Sequence, residues 1–333
     1  MKKSKKNTTM KKSRFVLGLF LLGIAPIWAQ NHIVEIADPT ITCFEGTYYL
    51  YGTEKSPQQG FPALASTDLQ TWHPVGCMEG YALKKGGDTY GDKGFWAPQV
   101  LYRNGRYYMV YTANEHIAIA ESNAPQGPFV QKNVQSIDAD TRQIDPYLFV
   151  DTDGKMYLYH VRLFKGNTIW VAEFKEDMSG IKEETLKQCV TATEHWEDTQ
   201  SYPSAPVIEG PTVIKRGKYY YLFYSANHFM SPDYAVGYAY SESPYGPWRK
   251  AGNNPIINKY DVGINGPGHG DLFVDKDNNY KYVFHSHADN TKVNNRRTWT
   301  VDVLFSTCDG NGPEIITIDS HSLVPLYLSD EKQ

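Results

Sequence analysis

A turn followed by a tyrosine-rich strand recurs five times along this chain, and few folds accommodate that pattern. The segments are Gly46-Thr-Tyr-Tyr-Leu-Tyr, Gly105-Arg-Tyr-Tyr-Met-Val-Tyr, Gly154-Lys-Met-Tyr-Leu-Tyr, Gly217-Lys-Tyr-Tyr-Tyr-Leu-Phe-Tyr and Asn278-Asn-Tyr-Lys-Tyr-Val-Phe. A short strand precedes each turn: Pro39–Phe44, Pro98–Tyr102, Tyr147–Val150, Thr212–Ile214 and Leu272–Val274. A third strand and a polar turn follow, as in Ser243-Pro-Tyr-Gly-Pro-Trp. Strand, glycine turn, aromatic strand and third strand read as successive antiparallel hairpins. Repeated five times at roughly 50–60 residues, they predict an all-β chain folded as a five-bladed β-propeller. A Greek-key sandwich explains the strands but not the repeat. Helical periodicity is weak, with one short turn expected near Lys175–Leu186.

Residues 1–30 read as a secretory signal peptide. Lys2, Lys3, Lys5, Lys6, Lys11, Lys12 and Arg14 precede the apolar stretch Phe15–Ala29. That stretch is shorter than the roughly 20 residues of a bilayer-spanning helix. The expectation is a periplasmic or secreted protein, free of the membrane after cleavage, with residues 31–333 forming a single propeller catalytic domain. The leader holds seven of the 33 basic residues and none of the 37 acidic ones, so the remainder carries a net charge of about −11. Such a surface is a poor partner for phosphate backbones, which excludes nucleic acid. Cys43, Cys77, Cys189 and Cys308 could form disulfides in an exported chain, with the pairing open. Small buried thiols are the simpler expectation. Oligomeric state is equally open.

The repeat also lines up acids. Counting back eight or nine residues from each turn gives Asp38, Ala97, Asp145, Glu209 and His269. The first strand of every propeller blade lines the central axis, so these positions should ring one mouth of the channel. Three carboxylates gathered there cannot all ionise freely, because like charge and burial raise at least one pKa. A donor acid beside an ionised base is the equipment of general acid–base catalysis.

Ala-Asp38-Pro, Phe95-Trp96-Ala-Pro, Ile-Asp145-Pro, Glu209-Gly-Pro and Gly268-His269-Gly-Asp, in this order behind a signal peptide, resemble glycoside hydrolase family 43 over residues 31–330. The invertase and levansucrase group is disfavoured, since no Asn-Asp-Pro-Asn-Gly surrounds Asp38. The resemblance implies an inverting hydrolase. Asp38 would be the general base, Glu209 the general acid, and Asp145 the residue that keeps the acid's pKa high and orients it. Inversion requires the two carboxyls about 6.5–9.5 Å apart. It further implies Trp96 as a sugar platform, Arg297 as a substrate-binding arginine with Arg296 one residue away in register, and His269 as a channel histidine holding calcium largely through waters. His285 and His287 are expected on the channel wall, and Trp170, Trp196, Trp248 and Trp299 as core or surface aromatics. Gln99 stands where many relatives carry Asp.

The implied substrate is a plant polysaccharide or oligosaccharide. The implied activity is exo-acting α-L-arabinofuranosidase, with β-xylosidase, endo-arabinanase and exo-β-1,3-galactosidase as rivals. No organic cofactor is implied. A non-catalytic carbohydrate-binding propeller is the alternative of another class, and it has no need of three acids. The segments Gly76–Asp92 and Glu194–Val207 are expected to shape the binding site.

Overall fold

Each tyrosine strand has become the second strand of a blade. The computed structural model describes Met1 and residues 32–138, 141–200, 203–307 and 312–329. The chain divides into Met1–Gln30 and Asn31–Gln333, and the signal-peptide expectation and Cys308 lie outside the described residues. Among those described, no helix is long and apolar enough to cross a membrane. Cys43, Cys77 and Cys189 are free thiols, and Cys77 is exposed rather than buried.

Five blades follow in order. Blade 1 opens with Ala37–Phe44 and Thr47–Thr53, and blade 2 with Trp96–Arg103 and Arg106–Ala113. Blade 3 opens with Gln143–Val150 and Met156–Leu163, blade 4 with Ile208–Arg216 and Tyr219–Ala226, and blade 5 with Gly268–Val274 and Tyr280–Ser286. The five opening strands touch one another in a closed ring, so they line the axis as the repeat predicts. Tyr327–Leu328 returns to blade 1, pairing parallel with Thr71–Pro74 and antiparallel with His32–Ile33. The circle is therefore closed at blade 1 by His32–Ile33 and Tyr327–Leu328. Between blades the alternating inward residues interlock. Val161 and Ile169 of blade 3, for example, join Ile208, Val213 and Leu222 of blade 4 in one buried cluster. The helical turn expected near Lys175–Leu186 is a 3-10 turn at Glu183–Thr185. A single α-helical turn, Lys259–Val262, is an addition the periodicity did not signal.

Every opening strand slips register against its partner near its start: Ala37/Thr40, Trp96/Gln99, Ile144/Tyr147, Glu209/Thr212 and Gly268/Gly270. In four blades the slip spans an X-Pro pair, because proline has no N–H for the ladder and is tolerated only on an edge strand or a bulge. The bulged residues Asp38, Ala97, Asp145, Gly210 and His269 all have φ between 38° and 60°. Only glycine adopts this left-handed backbone without strain, so four non-glycine residues here mark an over-determined region of the kind that functional sites hold.

Candidate active site

That bulge corrects the alignment of the acids. The residue equivalent to Asp38 and Asp145 in blade 4 is Gly210, which precedes Pro211 as they precede Pro39 and Pro146. Glu209 sits one position earlier, in register with Ala37, Trp96, Ile144 and Gly268. The ring therefore has two tiers. Asp38, Asp145 and His269 occupy the bulge tier, whereas Glu209 and Trp96 occupy the tier before it, and all five line one cavity of about 530 Å³.

The bulge tier is tied to the preceding blade by a repeated bond. The N–H groups of Ala97, Asp145 and His269 donate to Thr53, Thr112 and Ser225 hydroxyls at 3.0, 3.0 and 2.8 Å. Asp38 N–H donates to His285 Nδ1 at 3.1 Å. Blade 3 has Val161 at the corresponding position, paired with Ile144, and Val161 offers no acceptor. Gly210 N–H instead donates to Asp145 Oδ2 at 3.2 Å.

Asp38 is buried and enclosed by the Arg296 cation, the Thr53 hydroxyl and the His269 and His285 rings, and burial beside Arg296 holds His285 well below the ordinary histidine value. Thr53 Oγ1 donates to its Oδ2 at 2.6 Å, and Arg296 Nη1, His285 Nδ1 and His269 Nδ1 lie 3.2, 3.3 and 3.4 Å from its Oδ1. Burial pushes the Asp38 carboxyl up, but Arg296, His269, His285 and Thr53 together hold it well below the usual carboxylate range. Asp145 has no arginine or lysine paired with it among the described residues, and His269 Nδ1 lies 3.7 Å from its Oδ2. Burial, with the charges of Glu209 and Asp38, pushes Asp145 up to about 7 against the pull of His269. His269 itself is pushed down by burial and up, more strongly, by Asp145, Asp38 and Glu209, leaving it above the ordinary histidine value.

Glu209 is held at both oxygens. Tyr234 Oη donates to Oε1 and Asn167 Nδ2 to Oε2, each at 2.8 Å. Trp96 lines the cavity with Gly94 beneath its ring, where a Cβ would come within 3.2 Å of the indole. The arginine at the site is Arg296. Arg297 begins the third strand of blade 5, paired with Ser286, and it is the preceding residue, Arg296, that lines the cavity. The Arg296 guanidinium lies 4.7 Å from the Phe229 ring centroid, a cation–π contact that fixes its head over the cavity.

Thr53, Asn167, Phe229, Tyr234 and the contact of His285 with Asp38 carried no chemical motif in the sequence. Thr53 and His285 are the last or near-last residues of repeat strands, and that shared position was their one signal. His287 backs the site, its Nε2 2.9 Å from the Phe229 carbonyl. Of the two segments expected to shape the cavity, Glu194–Val207 contributes Ala205 and Val207. Gly76–Asp92 lies behind it, with Tyr81 donating to Glu54 at 3.0 Å. Gln99 bonds across to the backbone of blade 3, accepting from Leu148 N–H at 2.8 Å.

The residues around His269 do not fit a directly held calcium ion. Among the described residues no group of three or more His, Cys, Asp or Glu side chains is placed to hold a metal. The His269 Nδ1 edge faces the carboxylates of Asp38 at 3.4 Å and Asp145 at 3.7 Å, and imidazole is not a favoured ligand for a hard cation. The channel below is lined by Thr40, Gln99, Thr212, His269 and Asp271. Asp271 there is already bonded by Thr40 at 2.6 Å and Thr212 at 3.2 Å, and burial pushes it up to about 6.

Comparison with known proteins agrees with this geometry. The family pattern of glycosyl hydrolases family 43 matches residues 29–307. A crystal structure described as an endo-1,4-β-xylanase from Bacteroides thetaiotaomicron VPI-5482 is 39% identical, covers 90% of this chain and 99% of its own, and superposes with a TM-score of 0.82. A thermostable family-43 glycoside hydrolase is 33% identical over 85% of this chain and 92% of its own, with a TM-score of 0.75. Among curated proteins, a β-D-galactofuranosidase of Aspergillus niger is 27% identical over 81% of this chain and 79% of its own length. A β-xylosidase of Xylanibacter ruminicola is 25% identical over 65% and 78%. With the pattern spanning most of the chain and the fold shared along its length, the chain belongs to glycosyl hydrolases family 43.

Proposed function

We propose that the chain is an exported, inverting glycoside hydrolase that removes terminal α-L-arabinofuranosyl units from plant polysaccharide side chains. The observation carrying this reading is the unequal setting of two carboxylates on non-adjacent blades. Asp38 is held ionised by Arg296 and His269, as a general base requires. Glu209 faces the same cavity from blade 4, with Tyr234 and Asn167 fixing the orientation of its two oxygens. Asp38 takes a proton from a water that attacks the anomeric carbon, and Glu209 gives its proton to the departing glycosidic oxygen. The bond to the aglycone breaks as the new C–O bond forms on the opposite face, and solvent then restores both carboxyl groups. Asp145 orients the acid through Gly210 and shares its negative charge with the site. Trp96 offers its face to the C–H face of the sugar. No step is routed through calcium.

A pentose is favoured by the names of several relatives. They include a xylosidase/arabinosidase of Butyrivibrio fibrisolvens, 26% identical, and an extracellular endo-α-(1→5)-L-arabinanase of Bacillus subtilis, 24% identical. The 39% identical structure described as a xylanase makes β-xylosidase the second reading. Chromatography of products from arabinan, arabinoxylan, arabinogalactan and xylo-oligosaccharides, with Glu209→Ala as control, separates them. Free arabinose from wild type alone supports the first reading, xylose the second and oligosaccharides an endo attack. No product from any substrate would leave a carbohydrate-binding propeller.

A further inference from the structure

A second cavity of about 820 Å³ adjoins the first on the same mouth of the propeller, and His228 lines both. Its walls come from residues 195–200, from the loop joining the second and third strands of blade 4, and from the turn Lys259–Val262. Those walls are braced before any ligand arrives. Asn227 Nδ2 donates to the Trp196 carbonyl at 2.7 Å and the Asp233 carbonyl at 3.0 Å. Lys259 Nζ pairs with Asp233 at 2.7 Å. Trp196 stacks on Tyr224 with ring centroids 5.7 Å apart, so a tryptophan with no assigned role in the sequence has become part of the floor. Against this frame Tyr260 is 84% and Met230 55% exposed, both lining the cavity. The Lys259 ammonium lies 5.1 Å from the Tyr260 ring centroid and restrains it.

We propose that this groove binds the neutral glycan chain that continues from the sugar seated in the catalytic pocket. The inference rests on the glycosidase reading for its choice of ligand. His228 lines both cavities, so the groove adjoins the catalytic pocket along blade 4. Its volume is that of a ligand site rather than a packing gap. A fixed aromatic face with surrounding amide and hydroxyl groups suits sugar rings, which present C–H faces and hydroxyl edges. The groove's one lysine is already paired with Asp233, so a polyuronate finds no free lysine or arginine there.

Tyr260→Ala tests this, since a side chain so exposed can be removed without loss of folding. Affinity electrophoresis in a Glu209→Gln background, through gels holding arabinoxylan, debranched arabinan or polygalacturonate, reads binding without hydrolysis. Retardation by a neutral polymer that weakens about fivefold or more with Tyr260→Ala supports the groove. Equal retardation of both proteins, no retardation by either neutral polymer, or preference for polygalacturonate overturns it. In the active protein the variant should keep kcat/KM on a 4-nitrophenyl pentoside within twofold. On long oligosaccharides it should lose about fivefold to tenfold, through KM. Equal losses on both substrates, or none on either, overturn the proposal. Wild type inactive on every glycoside defeats the hydrolase reading instead, and the gel result then decides the groove alone.

Discussion

Gly210 N–H donates to Asp145 Oδ2 at 3.2 Å, so the carboxylate of blade 3 is bonded to the residue that directly follows Glu209 on blade 4. The bond exists because Val161 stands where the other blades place Thr53, Thr112, Ser225 and His285. One apolar residue frees one N–H, and the bulge-tier acid Asp145 takes it. Positioning and charge are thereby joined in a single contact.

Val161→Thr should restore the hydroxyl and compete for Gly210 N–H. The expected result is a fall in kcat of about fivefold to tenfold with KM little changed and the fold intact by circular dichroism. Unaltered kcat would remove Gly210 from the account of how Glu209 is placed.

The two neighbouring arginines should separate cleanly. Arg296→Ala removes the cation 3.2 Å from Asp38 and is expected to lower kcat/KM on the order of 100-fold. Arg297→Ala should cost less than about threefold. The reverse order, measured on the same aryl glycoside, would restore the sequence-based assignment.

Legibility divided along physical lines. The five blades were readable because a tyrosine strand behind a glycine turn has to repeat wherever a blade repeats. Asp38 and Asp145 were readable because each precedes a proline at the same distance from its turn. Glu209 lines the cavity as expected but stands one register off, since counting from the turn ignored the bulge; the proline at 211 marked Gly210 as the equivalent residue. Arg296 and Arg297 are adjacent on an extended chain, and alternation sends neighbouring side chains to opposite sides, so motif matching alone could not choose between them. Tyr234, Asn167 and Phe229 come from loops or strand starts with no repeat partner. Their roles arise only when folding brings them to Glu209 and Arg296.

Tyr234→Phe should lower kcat about tenfold by freeing Glu209 Oε1, while leaving the enzyme folded. Asn167→Ala should do the same at Oε2. Wild-type kcat in both variants, from initial rates across pH 4–9, would show that Glu209 needs neither bond.

Asp145 links activity to stability with a defined sign. Its folded value of about 7 stands above its ordinary 3.8, so the folded protein binds more protons than the unfolded chain between about pH 4 and 7. Stability from this group is therefore fully present below pH 4 and lost as pH rises through 7. Asp145→Asn carries no ionisable group. It should be inactive yet melt about 2–4 °C above wild type at pH 8, with the difference vanishing near pH 4. Equal melting differences at both pH values would contradict the raised value.

The most direct measurement is proton NMR of the first sugar released, recorded before mutarotation, from a substrate of known anomeric configuration. With Asp38 as base for a water and Glu209 as acid, the product must appear with inverted configuration. Retained configuration would contradict the roles given to both residues.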